Sequence, residues 1–165
     1  FPYNPQDKSA LETLRQVAQV APSLGLELVK EEMSSPEEIL ADINTAPEGI
    51  DAIFLPRDSS IESKISDFVE LSYRRKLPIS APSLTQVRQG ALYTYGFVRL
   101  ECGKQSARMA NQIFMGVSPS ELPVEMAENY LAINLFATEK LDLRVSEGLL
   151  RRADIIVREN SGAVR

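Results

Sequence analysis

A chain of 165 residues with 44% apolar and 25% charged residues has ordinary globular composition, long enough for one packed core but too short for a second independent domain. The formal net charge of -5 argues against nucleic acid as a partner, because the only dense basic spots, Arg74-Arg75-Lys76 and Arg151-Arg152, suit solvated helix C-termini better than a phosphate-binding stripe. Histidine is absent and Cys102 is the only cysteine, which excludes the usual zinc and iron–sulfur ligand sets, a Cys/His mechanism and an intrachain disulfide.

Taken in chain order, the first periodic segment predicts a helix from about Ser9 to Ala21, with Leu11, Leu14, Val17, Ala18 and Ala21 on one stripe and Pro22 and Gly25 near its end. Leu26 to Val29 reads as a short strand. Ser35-Pro36-Glu37-Glu38 combines a capping serine, a proline at the first helical position and a glutamate three residues after the cap, and so predicts a helix through about Asn44. The apolar run Ala52-Ile53-Phe54-Leu55 has the pattern of a strand covered on both faces in a parallel sheet, stopped by Pro56. A helix follows from about Ser60 to Arg75 on Ile61, Ile65, Phe68, Val69 and Tyr73, then a short strand at Ile79 to Ala81 and another at Ala91 to Tyr95. Gly103, Ala107, Ala110, Ile113 and Phe114 mark one face of a helix from about Glu101 to Met115, which Gly116 ends. Tyr130 to Leu135 alternates like a strand, and helical pieces at Ala137 to Leu141 and Ser146 to Arg152 precede a tail at Ser161-Gly162-Ala163 expected to fray.

Alternating strands and helices with short connections predict an α/β fold, an open, doubly wound parallel sheet with helices on both faces. In such a sheet ligands gather outside the carboxyl ends of the strands. That rule selects Asn4 after the first short segment, Asp58, Ser59 and Ser60 after the Ile53 strand, and Ser83 with Thr85 after Ile79. Capping of the following helix accounts for Asp58 at least as well as ligand contact does, and Ser83 and Thr85 also suit a local turn. The adjacent acids Glu31-Glu32 read as a solvated loop.

Signatures of catalysis are missing. The chain contains no Gly-x-Gly-x-x-Gly, no Gly-x4-Gly-Lys phosphate loop and no Gly-x-Ser-x-Gly elbow, and a receiver domain would need an acidic pair where Asn4-Pro5 stands. Without histidine, acid–base work would fall on isolated carboxylates. An enzyme is therefore not expected, nor is a cofactor. No run approaches the roughly 18 apolar residues of a membrane helix, and no signal peptide is recognisable. The opening Phe1-Pro2-Tyr3-Asn4-Pro5 lacks an initiator methionine, as a processed or cut chain would.

Two blocks carry a family resemblance. Gln89-Gly90-Ala91-Leu92-Tyr93-Thr94-Tyr95-Gly96 with the Gly103 helix resembles the "GAL-x-x-YG … G-x-x-x-A" region of ABC-transporter substrate-binding proteins of the tryptophan/tyrosine-uptake type. Leu122-Pro123-Val124-Glu125, Ala132-Ile133-Asn134-Leu135, Ala137, Leu141 to Leu143 and Leu150-Arg151-Arg152-Ala153-Asp154 resemble the C-terminal signature of that family. Tyr3-Asn4-Pro5 and Leu55-Pro56-Arg57-Asp58 fit its middle region, so the likeness runs from Tyr3 to about Val157.

The resemblance implies one Rossmann-like lobe plus the hinge-crossing segments of a two-lobe, type I binding protein, with most of the first lobe lying outside this chain. Residues 1–94 would form the second, ligand-binding lobe, and residues 95–165 would cross the hinge and pack partly on the first lobe. It also implies a small, amino-acid-like solute held by hinge closure, an ABC permease as partner, and a periplasmic or lipid-anchored, extracytoplasmic location. Pro82-Ser83-Leu84-Thr85 departs from the acidic loop often found in the family. Tyr95, near the hinge, would pack on the apolar part of the ligand, and Asp58 would meet its ammonium. A capping argument predicts that Asp58→Asn weakens binding with little loss of stability. The alternative is a ligand-sensing module of a larger signalling protein on the same fold. The unpaired Ala107, Ala110, Ile113 and Phe114 face predicts self-association of the isolated chain.

Overall fold

The computed structural model describes residues 1–33 and 47–159. The helix expected after Ser35 and the tail at Ser161 lie outside the described residues. Strand β1 (Pro2–Tyr3) is followed by helix α1 (Lys8–Val20), capped by the Asp7 carboxyl, which accepts from the Ser9 and Ala10 amides. A 3-10 turn at Ala21–Leu24 closes on Gly25 at φ 68°. The strand expected at Leu26 to Val29 is coil; pairing occurs instead at β2 (Glu31–Glu32), parallel to β1. The amide of Glu31 bonds the Phe1 carbonyl and that of Met33 the Tyr3 carbonyl, which sends Met33 into the core. A tertiary partner thus fixes the strand's position, and the acidic pair read as a loop is the strand itself.

The main sheet of the described residues has the order β3 (Ile53–Phe54), β4 (Ile79–Ser80), β5 (Tyr93–Phe97), β6 (Asn129–Asn134), β7 (Ile155–Val157). β3, β4 and β5 run parallel and so do β6 and β7, but β5 meets β6 antiparallel, Tyr95 opposite Leu131. The sheet is therefore mixed and mainly parallel, an α/β fold whose one reversal no residue pattern announces. β7, a β-branched run, was absent from the predicted elements. Phe54 is 39% exposed, so the apolar run at 52–55 is buried through Ile53 and Leu55 and not on both faces throughout. The Phe1 ring stacks on Phe54 at 5.7 Å, bringing the β1–β2 ladder to β3.

The single helix expected from Ser60 to Arg75 is two, α2 (Ser59–Glu62) and α3 (Ile65–Arg75). The Ser63 hydroxyl donates to the Ser60 carbonyl and the Lys64 amide bonds Ile61, a tightening that serines favour over a continuous ladder. The apolar stripe survives the break. Ile61, Ile65, Phe68, Val69 and Leu71 pack with Ile53, Leu55, Leu77, Ile79 and Ala91 in the main core. Arg74 and Arg75 fall in the last turn of α3, as cations at a C-terminus should.

Helix α4 (Leu84–Arg88), five residues and too short for periodicity to reveal, buries Val87 against Ala132 and Val157. α5 (Arg99–Phe114) follows β5 and has no buried residue, with Phe114 86% exposed. α6 (Leu135–Lys140) and α7 (Glu147–Arg152) are capped by Asn134 and Ser146. Asn134 is buried, donates through Nδ2 to the Val87 carbonyl at 2.6 Å and accepts from the Ala137 amide at 3.0 Å, so one side chain ties β6, α4 and α6.

Gly90, in the Gly90-Ala91-Leu92 block, has φ 127°, and a Cβ there would lie 2.6 Å from Val69 Cγ1 and 2.9 Å from the Tyr73 hydroxyl. The same hydroxyl donates to the Gly90 carbonyl at 2.9 Å. Backbone strain and overpacking act together, so Gly90→Ala is expected to cost roughly 2 to 5 kcal/mol in urea denaturation; a loss below about 1 kcal/mol would show that Val69 and Tyr73 yield freely.

Candidate functional site

The parallel strands deliver their C-terminal ends to one edge. From β1 the chain passes directly to Asn4, from β3 to Leu55-Pro56-Arg57-Asp58, and from β4 to Ala81-Pro82-Ser83. At that edge Asp58, 1% exposed, is the focus of a closed network. Its Oδ1 accepts from the Ser60 amide at 2.9 Å, the Ser60 hydroxyl at 2.6 Å and the Ile61 amide at 3.4 Å. Its Oδ2 accepts from the Asn4 amide at 3.2 Å, and Asn4 Nδ2 reaches the Ser60 hydroxyl at 3.4 Å. Four protein donors compensate the desolvation of a buried acid.

Of the residues selected from the sequence, Asn4, Asp58 and Ser60 are thus in hydrogen-bond contact across 54 positions of chain. Ser59 lies beside them, exposed, at the first position of α2. Ser83 is half-buried, and its hydroxyl donates to Gln86 Oε1 at 3.0 Å, whereas Gln86 Nε2 and Thr94 Oγ1 are buried and have no hydrogen-bond partner among the described residues. Thr85 is exposed on α4. Tyr95 is 69% exposed, midway along β5 on the face it shares with Tyr93 and Phe97.

Sequence reasoning passed over Arg57. Its guanidinium lies 4.8 Å above the Phe97 ring and donates from Nη2 to the Pro82 carbonyl at 3.3 Å, bridging the ends of β3, β4 and β5. The available signal was a cation immediately before the capping acid, in a loop already assigned to the ligand edge.

A separate groove of about 270 Å³ lies between α5 and residues 125–130, lined by Glu101, Lys104, Arg108, Glu125, Glu128 and Tyr130 among others. Its charges answer one another. Lys104 pairs with Glu101, Arg108 with Glu125, and Tyr130 donates to Glu128. Hydrogen bonds from Arg108 and Gln105 hold the Glu125 carboxyl below the usual range, and the bond to Glu128 raises the Tyr130 phenol. The groove is a polar clasp of the 125–130 segment on α5 and shares no residue with the strand-edge cluster. Among the described residues no three His, Cys, Asp or Glu side chains are grouped to hold a metal ion.

The network alters one expectation. An asparagine at 58 can keep the capping bonds with its oxygen, but its amide would then face the Asn4 N–H, donor against donor. Asp58→Asn is expected to lower stability by about 1 to 3 kcal/mol, more than capping alone implies, with Asn4→Ala costing less because the backbone donor remains. Urea titration of the two variants checks this, and equal, small losses would remove the Asn4–Asp58 bond from the account.

A sequence model of the family described as ABC transporter substrate binding protein matches residues 1–157. A tyrosine-binding protein of Clostridioides difficile (strain R20291) is 26% identical over 119 residues, covering 72% of this chain and 34% of its own length. Among solved structures, a conserved domain protein from Vibrio cholerae matches 94% of the chain at TM-score 0.77 and 26% identity. The ABC domain from Streptococcus pneumonia in complex with L-Trp also matches 94%, at TM-score 0.77 and 22% identity. A ligand-free, open substrate binding protein with adhesive properties from Clostridium difficile matches 96%, at TM-score 0.78 and 19% identity; the last two likenesses speak to fold alone. The chain spans about half, 53%, of the length of each of these solved chains. With a match across 1–157, the chain belongs to the ABC transporter substrate binding protein family.

Proposed function

We propose that this chain supplies one lobe of an extracytoplasmic solute receptor, periplasmic or lipid-anchored, which holds a small amino-acid-like ligand and passes it to an ABC permease without making or breaking a bond. The observation that carries the reading is the Asn4–Asp58–Ser60 network, which rigidly joins the ends of β1 and β3 where an open α/β sheet takes its ligands. Asn4, Ser59, Ser60, Ser83 and Tyr95 form the proposed ligand-facing set, with Asp58 buried behind them, its oxygens taken by protein donors and not free for a ligand ammonium. Asp58 organises the edge with Ser60, whose hydroxyl it holds, the exposed Ser59 and half-buried Ser83 offer hydroxyls, and Tyr95 offers an exposed ring. A tyrosine-binding relative supports an amphipathic amino acid as the ligand class.

Residues 1–94 are proposed as the ligand-binding lobe and 95–165 as the segment that crosses the hinge. In support, α5 buries no residue of its own, and Leu100, Ile113, Phe114 and Met115 are exposed along or just after it. Apolar residues gathered in that way ordinarily find a partner surface. Closure of two lobes over the ligand would then be stabilised by contacts made to both.

Calorimetric titration of the full-length protein with L-tyrosine and L-tryptophan is expected to show saturable binding, with scattering in solution reporting compaction on ligand addition. Ser83→Ala should weaken binding by roughly threefold to tenfold, the value of one hydrogen bond. Turnover of either compound, or no saturation by any amino acid, would sink the reading. The 165-residue chain alone should self-associate in sedimentation experiments, and Phe114→Ser should shift it toward monomer; a well-behaved wild-type monomer at high concentration would contradict the proposed role of α5.

A further inference from the structure

We infer that Arg57 is the anion-recognising residue of the proposed site and that it takes a carboxylate; the inference rests on the solute-binding reading above and names the chemistry of the ligand. A guanidinium carries five N–H donors in a planar fork. Arg57 commits one direction to the Pro82 carbonyl at 3.3 Å and one face to the Phe97 ring at 4.8 Å. Both contacts restrain the guanidinium and leave donors over. Among the described residues it forms no salt bridge, unlike Arg15, Arg108 and Arg151, each of which pairs with a glutamate.

The neighbouring acid does not neutralise it. Both oxygens of Asp58 are taken by the Asn4, Ser60 and Ile61 donors, so the acid is turned into the protein and 1% exposed. Arg57 itself is only half-buried. Of this adjacent pair the charge left facing outward is therefore positive, the reverse of what a ligand ammonium would seek. A planar carboxylate matches the fork in a bidentate pair, and stacking on Phe97 means that little side-chain freedom remains to be lost on binding. Phe97, Tyr95 and Tyr93 share one face of β5, so the cation stands at the end of an aromatic stripe. The ligand class is an amphipathic carboxylate, its charged end at Arg57 and its apolar body along that stripe.

The test is calorimetric titration of full-length wild type, Arg57→Gln and Arg57→Lys with L-tyrosine and L-tryptophan, and with tyramine and tryptamine, which lack only the carboxylate. Wild type is expected to prefer the amino acids. Arg57→Gln should weaken them by at least about tenfold while leaving the amines unchanged, and Arg57→Lys should keep part of the preference because charge remains without the fork. Equal weakening of both classes would make Arg57 a structural staple, and an undiminished preference would place the carboxylate elsewhere; either overturns the inference. Should Arg57→Gln fail to fold in thermal melts, the preference lost in Arg57→Lys gives the same reading. Failure of the solute reading is told apart by wild type binding none of the four compounds. In that event the Nε resonance of Arg57 in 15N-arginine-labelled wild type is followed during titration with sodium acetate. Saturable movement supports an anion site, and a fixed resonance overturns it.

Discussion

A carboxyl group removed from water must have its oxygens answered, and Asp58 finds its donors in two parts of the chain that sequence order keeps far apart. Two amides and a hydroxyl come from the first turn of α2, the ordinary reward of an N-cap. The remaining bond, from the Asn4 amide, is tertiary. It fixes the end of β1 against the end of β3, and the Phe1–Phe54 stack holds the same two strands a few residues earlier. The β1–β2 ladder has no ladder bonds to the main sheet among the described residues, so that pair of contacts, with Met33 in the core, holds this wall of the strand-edge cluster.

β5 is where the architecture changes character. Its first residue, Tyr93, continues the parallel series from Ser80 of β4, and over its full length the strand pairs antiparallel with β6. Period-two alternation gives it one buried side, with Thr94 against Ala132, and one side carrying Tyr93, Tyr95 and Phe97. Arg57 reaches this second side across the end of β4, which couples the loop after β3 to the aromatic stripe. The loop after β3 and the turn of the sheet at β5 are thus joined at one cation.

Beyond β5 the chain is held by different forces. α5 has no buried side chain, and its polar flank is clasped to the 125–130 segment by Arg108–Glu125, Gln105–Glu125 and a bond from Gln105 to the Met126 carbonyl. Exposed ion pairs of this kind add little stability. Val124 and Met126 face solvent on either side of the clasped Glu125. A helix fixed by its charges, with its apolar residues outward, is what a crossing segment needs if its proper partner lies on another body.

Helical stripes, caps and strand-edge positions are legible in the residues alone, because these depend on side chains within a few positions of one another. Ile61, Ile65, Phe68 and Val69 keep their face even though Ser63 breaks the helix, and Asp7, Asp58 and Ser146 cap where their side chains can reach the next free amides. The GAL block and the C-terminal signature carried the family for the same reason, as local strings. Features that need a distant partner are legible only once the chain is folded. β2 settled at Glu31–Glu32 because β1 offered its edge there, not at the more apolar Leu26 to Val29. The reversal between β5 and β6 is a property of how two strands meet, and neither strand encodes it alone. Asp58 turned inward and Arg57 outward because Asn4 and Phe97, 54 residues before one and 40 after the other, supply the donor and the ring that set their directions.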